Sequence, residues 1–128
     1  MATEVLVNDG GAPARIIPFT AGSTITAGYA LQMGADAQVD TIASADNVMP
    51  VGVAFTDAAS GNIASVITGK GIVLNMYVSG TVGRGDGVAT LADGNLGQAS
   101  ASSVAVGTYI DPSGAHSGAA SLQLVLWG

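Results

Sequence analysis

Ile25-Thr26-Ala27-Gly28-Tyr29-Ala30-Leu31 returns as Val82-Gly83-Arg84-Gly85-Asp86-Gly87-Val88, with Gly28 and Gly85 57 residues apart. Further on, Val51-Gly52-Val53-Ala54-Phe55-Thr56-Asp57 returns as Val106-Gly107-Thr108-Tyr109-Ile110-Asp111, with Gly52 and Gly107 55 residues apart. Ser60-Gly61-Asn62 then leads into Ala64-Ser65-Val66-Ile67-Thr68-Gly69, and Ser117-Gly118 leads into Ser121-Leu122-Gln123-Leu124-Val125-Leu126. Each half reads as a glycine-turn strand, a variable hairpin, a Val-Gly strand and a closing strand. The halves occupy about 24–71 and 81–128, so the chain is a duplicated β-unit.

The apolar runs around these motifs are short, β-branched and bounded by glycine, which is the pattern of strands. Strands are expected at 29–33, 37–42, 50–56, 63–68, 71–79, 87–91, 104–110 and 120–127. Asp93-Gly94, between Leu91 and Leu96, signals a hairpin. Nineteen glycines weigh against long helices, since each costs ~1 kcal/mol in a helix interior. The best helical candidate is a turn or two at Thr56-Asp57-Ala58-Ala59. The expected fold is therefore all-β, a single small barrel-like or sandwich-like domain over 20–128. Residues 1–19, punctuated by Asp9-Gly10-Gly11 and by Pro13 and Pro18, read as an extended N-terminal arm. Within it Val5, Leu6, Val7, Arg15, Ile16 and Ile17 are the candidate contact residues. They can add a strand to a neighbour's sheet edge or pair within their own subunit.

Charge narrows the function. Only 9% of residues are charged, against about 25% in ordinary soluble domains. Lysine and glutamate are depleted where proteins meet proteins, and here Lys70 and Glu4 are the sole representatives. Three cations and a net charge of −6 argue against nucleic acid, whose complexes engage about 6–10 phosphates. There is no cysteine, hence no disulfide framework and no thiolate metal site. No apolar run reaches the ~18 residues of a membrane helix. Met1-Ala2-Thr3-Glu4 lacks the features of a signal peptide, which sets the expectation of synthesis in a host cytoplasm.

The residues that bear chemistry are few. Asp36, Asp46, Asp57, Asp86, Asp93 and Asp111 stand where turns are expected, and such carboxylates accept hydrogen bonds from their own turn's backbone. Asp40, Asp46 and Asn47 form a possible hard-cation cluster, though without EF-hand spacing. His116, the single histidine, lies in a Ser/Gly loop and is expected to be exposed, with no partner for acid–base or nucleophilic work. Arg84-Gly85-Asp86 matches an integrin-binding tripeptide but falls at a turn that the duplication already requires. Lys70, between Gly69 and Gly71, loosely resembles the modifiable lysine of lipoyl and biotinyl carrier domains. Those families surround it with Met or acidic residues instead. No catalytic residue, cofactor or metal is expected, and the chain is read as a non-enzyme.

Thr26-Ala27-Gly28-Tyr29-Ala30-Leu31, Val51-Gly52-Val53-Ala54 followed by Ala58-Ala59-Ser60-Gly61, and Gly69-Lys70-Gly71-Ile72-Val73 resemble the head decoration, or capsid cement, proteins of tailed phages. Val78-Ser79-Gly80-Thr81-Val82 is similar to their Ser-Gly-Thr-Phe stretch, with valine for the aromatic. The resemblance, over about 20–128, implies a compact β-tulip-like body, commonly a homotrimer. It implies binding to the outer surface of an assembled capsid, with the arm touching the major capsid protein. On this reading the chain is a virion protein that decorates and stabilises the head. The alternatives are a head-fibre or glycan-binding host-attachment module and, behind it, a carrier domain.

Overall fold

The alternation in Ile72-Val73-Leu74-Asn75-Met76-Tyr77-Val78 is realised as a strand with one buried and one half-buried face. In the computed structural model, which describes residues 5–8, 15–34, 37–42, 50–100, 103 and 105–128, this is the seventh of eleven strands. They are β1 (Leu6–Asn8), β2 (Arg15–Thr20), β3 (Ala30–Met33), β4 (Val39–Thr41), β5 (Gly52–Ala54), β6 (Ile63–Thr68), β7 (Ile72–Val78), β8 (Gly87–Thr90), β9 (Leu96–Gln98), β10 (Gly107–Tyr109) and β11 (Ser121–Trp127). No α-helix occurs among the described residues, and Ala92–Gly94 form one 3-10 turn. Nor does any described helix have the length and apolarity to cross a membrane.

The duplication governs the topology. One sheet runs β2-β6-β5-β3-β4, and Ala21, just past β2, closes it through a parallel bridge to Val39 of β4. The other runs β7-β11-β10-β8-β9 and closes through a parallel pairing of Val78 with Leu96. Both closing residues are displaced by 57 positions between the halves. The chain is thus two five-stranded barrels in tandem, with β1 added to the edge of β7.

Small motifs repeat for physical reasons. Gly28 and Gly85 have φ of 91° and 88°, and each donates its N–H across the barrel, to Ala54 and Tyr109 respectively. At the Val-Gly strands two backbones meet closely. A Cβ on Gly52 would strike the carbonyl of Ile67, and one on Gly107 would stand 2.5 Å from the carbonyl oxygen of Leu126.

The first interior holds Ala21, Ile25, Leu31, Val39, Ala54, Ala64 and Val66. The matching positions of the second, Val78, Val82, Val88, Leu96, Tyr109 and Val125, join a larger cluster. That cluster also takes in Ala30, Ile42, Val53 and Ile67 from the first barrel's outer side, all fully buried. The two barrels therefore share apolar packing instead of hanging on a linker.

Three sequence expectations change. Arg15–Thr20 is not arm: it pairs in register with β6 from Arg15↔Thr68 to Thr20↔Ile63, so the first unit starts before residue 20. Thr56–Ala59 is not helical. Ala58 bridges Ile25, and the Asp57 carboxylate takes the Ala27 N–H at 2.8 Å. Leu96–Gln98 is a strand absent from the expected set, formed by the hairpin that Asp93-Gly94 signalled. Of the two pairings open to Val5–Asn8, the one within its own chain is found, with β7.

Candidate interaction surface

The six candidate contact residues separate into two groups. Val5 is buried, and Leu6 is half-buried against the same core. The side chain of Val7 lies outside the described residues. Leu6 pairs with Leu74, Asn8 pairs with Val73 across a register shift, and the Asn75 N–H donates to the Val5 carbonyl at 2.8 Å. Arg15, Ile16 and Ile17 lie instead on β2 of the first barrel, all exposed. Ile16 and Ile17 retain 45% and 37% of their surface, and Ile63 on the neighbouring β6 retains 61%.

β2 and β7 are equivalent strands, so the comparison between them is internal to the molecule. The outer edge of β7 carries β1, whereas no described residue pairs with the outer edge of β2. The outer face of β7 and β11 near Tyr77 and Leu122 is covered by the Gly28-Tyr29 turn. There Tyr77 N–H donates to Gly28 C=O at 3.1 Å, and the Tyr29 and Tyr77 rings stack at 4.4 Å. On the equivalent face of the first barrel, no described turn stacks on Thr20 and Ile63, which are half-buried and exposed respectively. Burial raises the Tyr29 hydroxyl pKa, helped by Tyr77 and Asp93. Among the described residues, neither surface that the second barrel has covered is covered in the first.

His116 corrects the expectation of an exposed loop residue, for it is 7% exposed. Its Nδ1 lies 2.8 Å from the Gly80 carbonyl, which places the proton on Nδ1, so Nε2 accepts from the Ser121 hydroxyl at 3.0 Å. Ser121 Oγ also takes the Gln123 amide N–H at 3.0 Å. The Tyr109 hydroxyl lies 2.8 Å from Gln123 Oε1 and 2.7 Å from the Gly114 carbonyl, two acceptors for its one proton. Ser121 and His116 stand at nucleophile–base distance, but no carboxylate backs the imidazole. The four side chains satisfy one another, as buried polar groups must. The first barrel has Ala54, Ala58 and Ala64 at the places of Tyr109, His116 and Gln123, so no repeat in the sequence could flag this network.

Asp86 and Asp111 accept from their own turns as expected, whereas the Asp57 carboxylate takes the N–H of Ala27 in a distant turn. Asp86 turns its carboxylate back onto the Gly83 N–H at 2.9 Å, which engages the aspartate of the Arg-Gly-Asp turn locally. Burial pushes the Asp111 carboxyl pKa up. Hydrogen bonds from the Ser113 hydroxyl at 2.6 Å, Leu124 N–H and Ser113 N–H outweigh that and hold it below the ordinary carboxylate value. Asp46 and Asn47 of the possible cation cluster lie outside the described residues, and no group of three metal-ligating side chains occurs among those described. Lys70 is exposed at the β6–β7 hairpin, on the rim of a cleft of about 360 Å³ that is lined by Pro50, Val51, Val106 and Trp127.

No family model matches this chain, and no curated protein matches it. Among solved structures it resembles the crystal structure of the head fiber gp8.5 N base in bacteriophage phi29. The TM-score is 0.66, the match covers 89% of this chain and 94% of that one, and identity is 21%. The two chains share a fold. At that identity the likeness establishes the tandem β architecture, and it covers both barrels together.

Proposed function

We propose that this protein is a non-enzymatic structural component of a phage virion, seated on the outer surface of the head. There it binds the major capsid protein and stabilises the shell. The observation that carries the reading is a fold shared with a phage head fiber base over nearly the whole of both chains. The low-charge surface, the net charge of −6 and the exposed Ile16, Ile17 and Ile63 support it. They suit close contact with protein on the side of the shell away from nucleic acid.

A homotrimer spanning several capsid subunits would hold them by effective concentration, so modest individual contacts add up to firm attachment. A protein that binds only the assembled lattice stabilises it by mass action. Purified protein mixed with undecorated heads should co-sediment with them and raise the temperature at which they release DNA. Absence of binding overturns the proposal.

The neighbour's description also favours a second reading, in which the two barrels form the base of a head fiber. Binding at a few head sites with no change in the release temperature would select that reading over decoration.

A further inference from the structure

We propose that the outward face of β7, β11 and β10, centred on Leu126, is the surface through which copies of this chain associate. This rests on the homo-oligomer in the reading above and names the face at which its subunits meet.

The backbone register shows which residues correspond in the two barrels. In the first, one row crosses four strands, Ile16↔Ile67↔Val53↔Ala30. Ile42 extends it by donating its N–H to the Ala30 carbonyl. In the second, the same pairings give Val73↔Leu126↔Thr108↔Gly87, and Ala99 donates its N–H to the Gly87 carbonyl. Alternation along each strand turns both rows outward. The interiors are filled by the neighbouring residues, Val66, Ala54 and Leu31 in one barrel and Val125, Tyr109 and Val88 in the other.

The two rows differ in burial. Ile67, Val53, Ala30 and Ile42 are fully buried and belong to the cluster that joins the barrels. The turn between β8 and β9 is seated there, with the position of a Cβ on Gly94 only 2.8 Å from the Ala30 carbonyl oxygen. Their counterparts stay at the surface: Leu126 is 37% exposed, and Thr108, Gly87 and Ala99 are half-buried. The chain has thus used this face of the unit once already, on its first barrel, to receive a body of its own fold.

The chemistry of the face on the second barrel suits a second copy. Val73, Asn75, Thr108, Ile110, Leu124 and Leu126 include four aliphatic side chains and no charged one. In a chain of net charge −6, copies repel wherever carboxylates face each other. An uncharged aliphatic face is where two of them can approach and exclude water.

The test is the solution mass of the intact purified protein, measured by sedimentation velocity over a concentration series. The parent is expected to self-associate. Leu126→Asp should weaken that association roughly tenfold or more, because it sets a carboxylate into the contact. Thr108→Lys, on the same face, should act in the same direction, whereas Ile63→Asp on the first barrel should leave the mass unchanged. Circular dichroism confirms the fold of each variant. A parent that stays monomeric, or an oligomer indifferent to both Leu126→Asp and Thr108→Lys, overturns the proposal. A monomeric parent whose binding to heads is lost in Leu126→Asp assigns the face to the capsid protein and overturns it as well. The sedimentation assay contains no capsid, so its failure leaves the virion reading standing. An oligomer that does not bind heads does the reverse.

Discussion

The Tyr29 ring stacks on the Tyr77 ring with centroids 4.4 Å apart and planes 11° apart, joining the turn of one barrel to the flank of the next. The equivalent positions in the other copies of the unit are Asp86 and Thr20. The contact is therefore heterologous and made once: the first barrel's turn meets the second barrel's flank. The free turn and the free flank have lost the aromatic pair that would repeat it. Head-to-tail interfaces of this kind propagate unless the free ends change, and these have changed.

Replacing Tyr77 by Ala should lower the unfolding free energy by about 2 kcal/mol, from the loss of a half-buried ring and its stack. A double-mutant cycle with Tyr29→Ala isolates the stack, and a coupling of about 1 kcal/mol is expected in urea denaturation. Strict additivity would show that the rings contribute independently.

Gly94 and Gly85 both have positive φ, 76° and 88°, but only Gly94 is wedged against the first barrel. A Cβ there would lie 2.8 Å from the Ala30 carbonyl oxygen and 3.0 Å from Thr41 Cγ2, whereas at Gly85 it meets open space. Gly85→Ala should cost roughly 1–2 kcal/mol from backbone strain alone. Gly94→Ala adds the clash and should cost about 2–4 kcal/mol. Thermal unfolding of the two variants side by side checks the difference, and equal costs would count against the barrel contact.

Asp111 links stability to acid pH. Its folded pKa lies below its unfolded one, so its contribution is fully present above about pH 4 and is lost as pH falls through the lower folded value. Asp111→Asn should therefore cost about 1–2 kcal/mol at pH 7. The variant and the parent should converge in denaturation experiments below pH 4. A constant gap down to pH 2 would contradict the assignment.

Tyr109 acts at the opposite limb. Burial, with the Asp111 charge beside it, raises its pKa despite Arg84, so its contribution holds below the unfolded value of about 10 and fades as pH climbs through the higher folded one. Tyr109→Phe removes the hydroxyl from Gln123 and Gly114 and should cost about 1–2 kcal/mol at neutral pH. Melting temperatures at pH 7 and pH 10.5 should show a shallower alkaline decline in the variant.

How much of this was legible beforehand differs from residue to residue. Gly28 and Gly85 were readable because a positive φ selects glycine whatever surrounds it. The Val-Gly pairs at 51–52 and 106–107 were readable for a similar reason, a close backbone approach repeated in each unit. β2 was misread as arm because Pro18 and the exposed Ile16 and Ile17 are the residues of an uncovered edge, and its partner β6 lies more than forty residues downstream. β9 was missed because Leu96–Gln98 is three residues long and contains a glycine. His116 was assigned to the surface because its Ser/Gly surroundings suit a loop, while its partners Gly80 and Ser121 come from other parts of the barrel.

The sequence by itself determined that the protein is all-β, duplicated, sparsely charged and punctuated at fixed glycines. Those properties follow from local backbone chemistry and composition, which need no partner to be expressed. The tertiary structure alone decided that the duplicate closes into two barrels and that, among the described residues, one flank is covered and its equivalent is not. It alone buried a histidine in a polar chain and left the outer edge of β2 without a partner among the described residues. Each of these depends on pairing across long separations and on which of two equivalent surfaces the other half of the molecule covers.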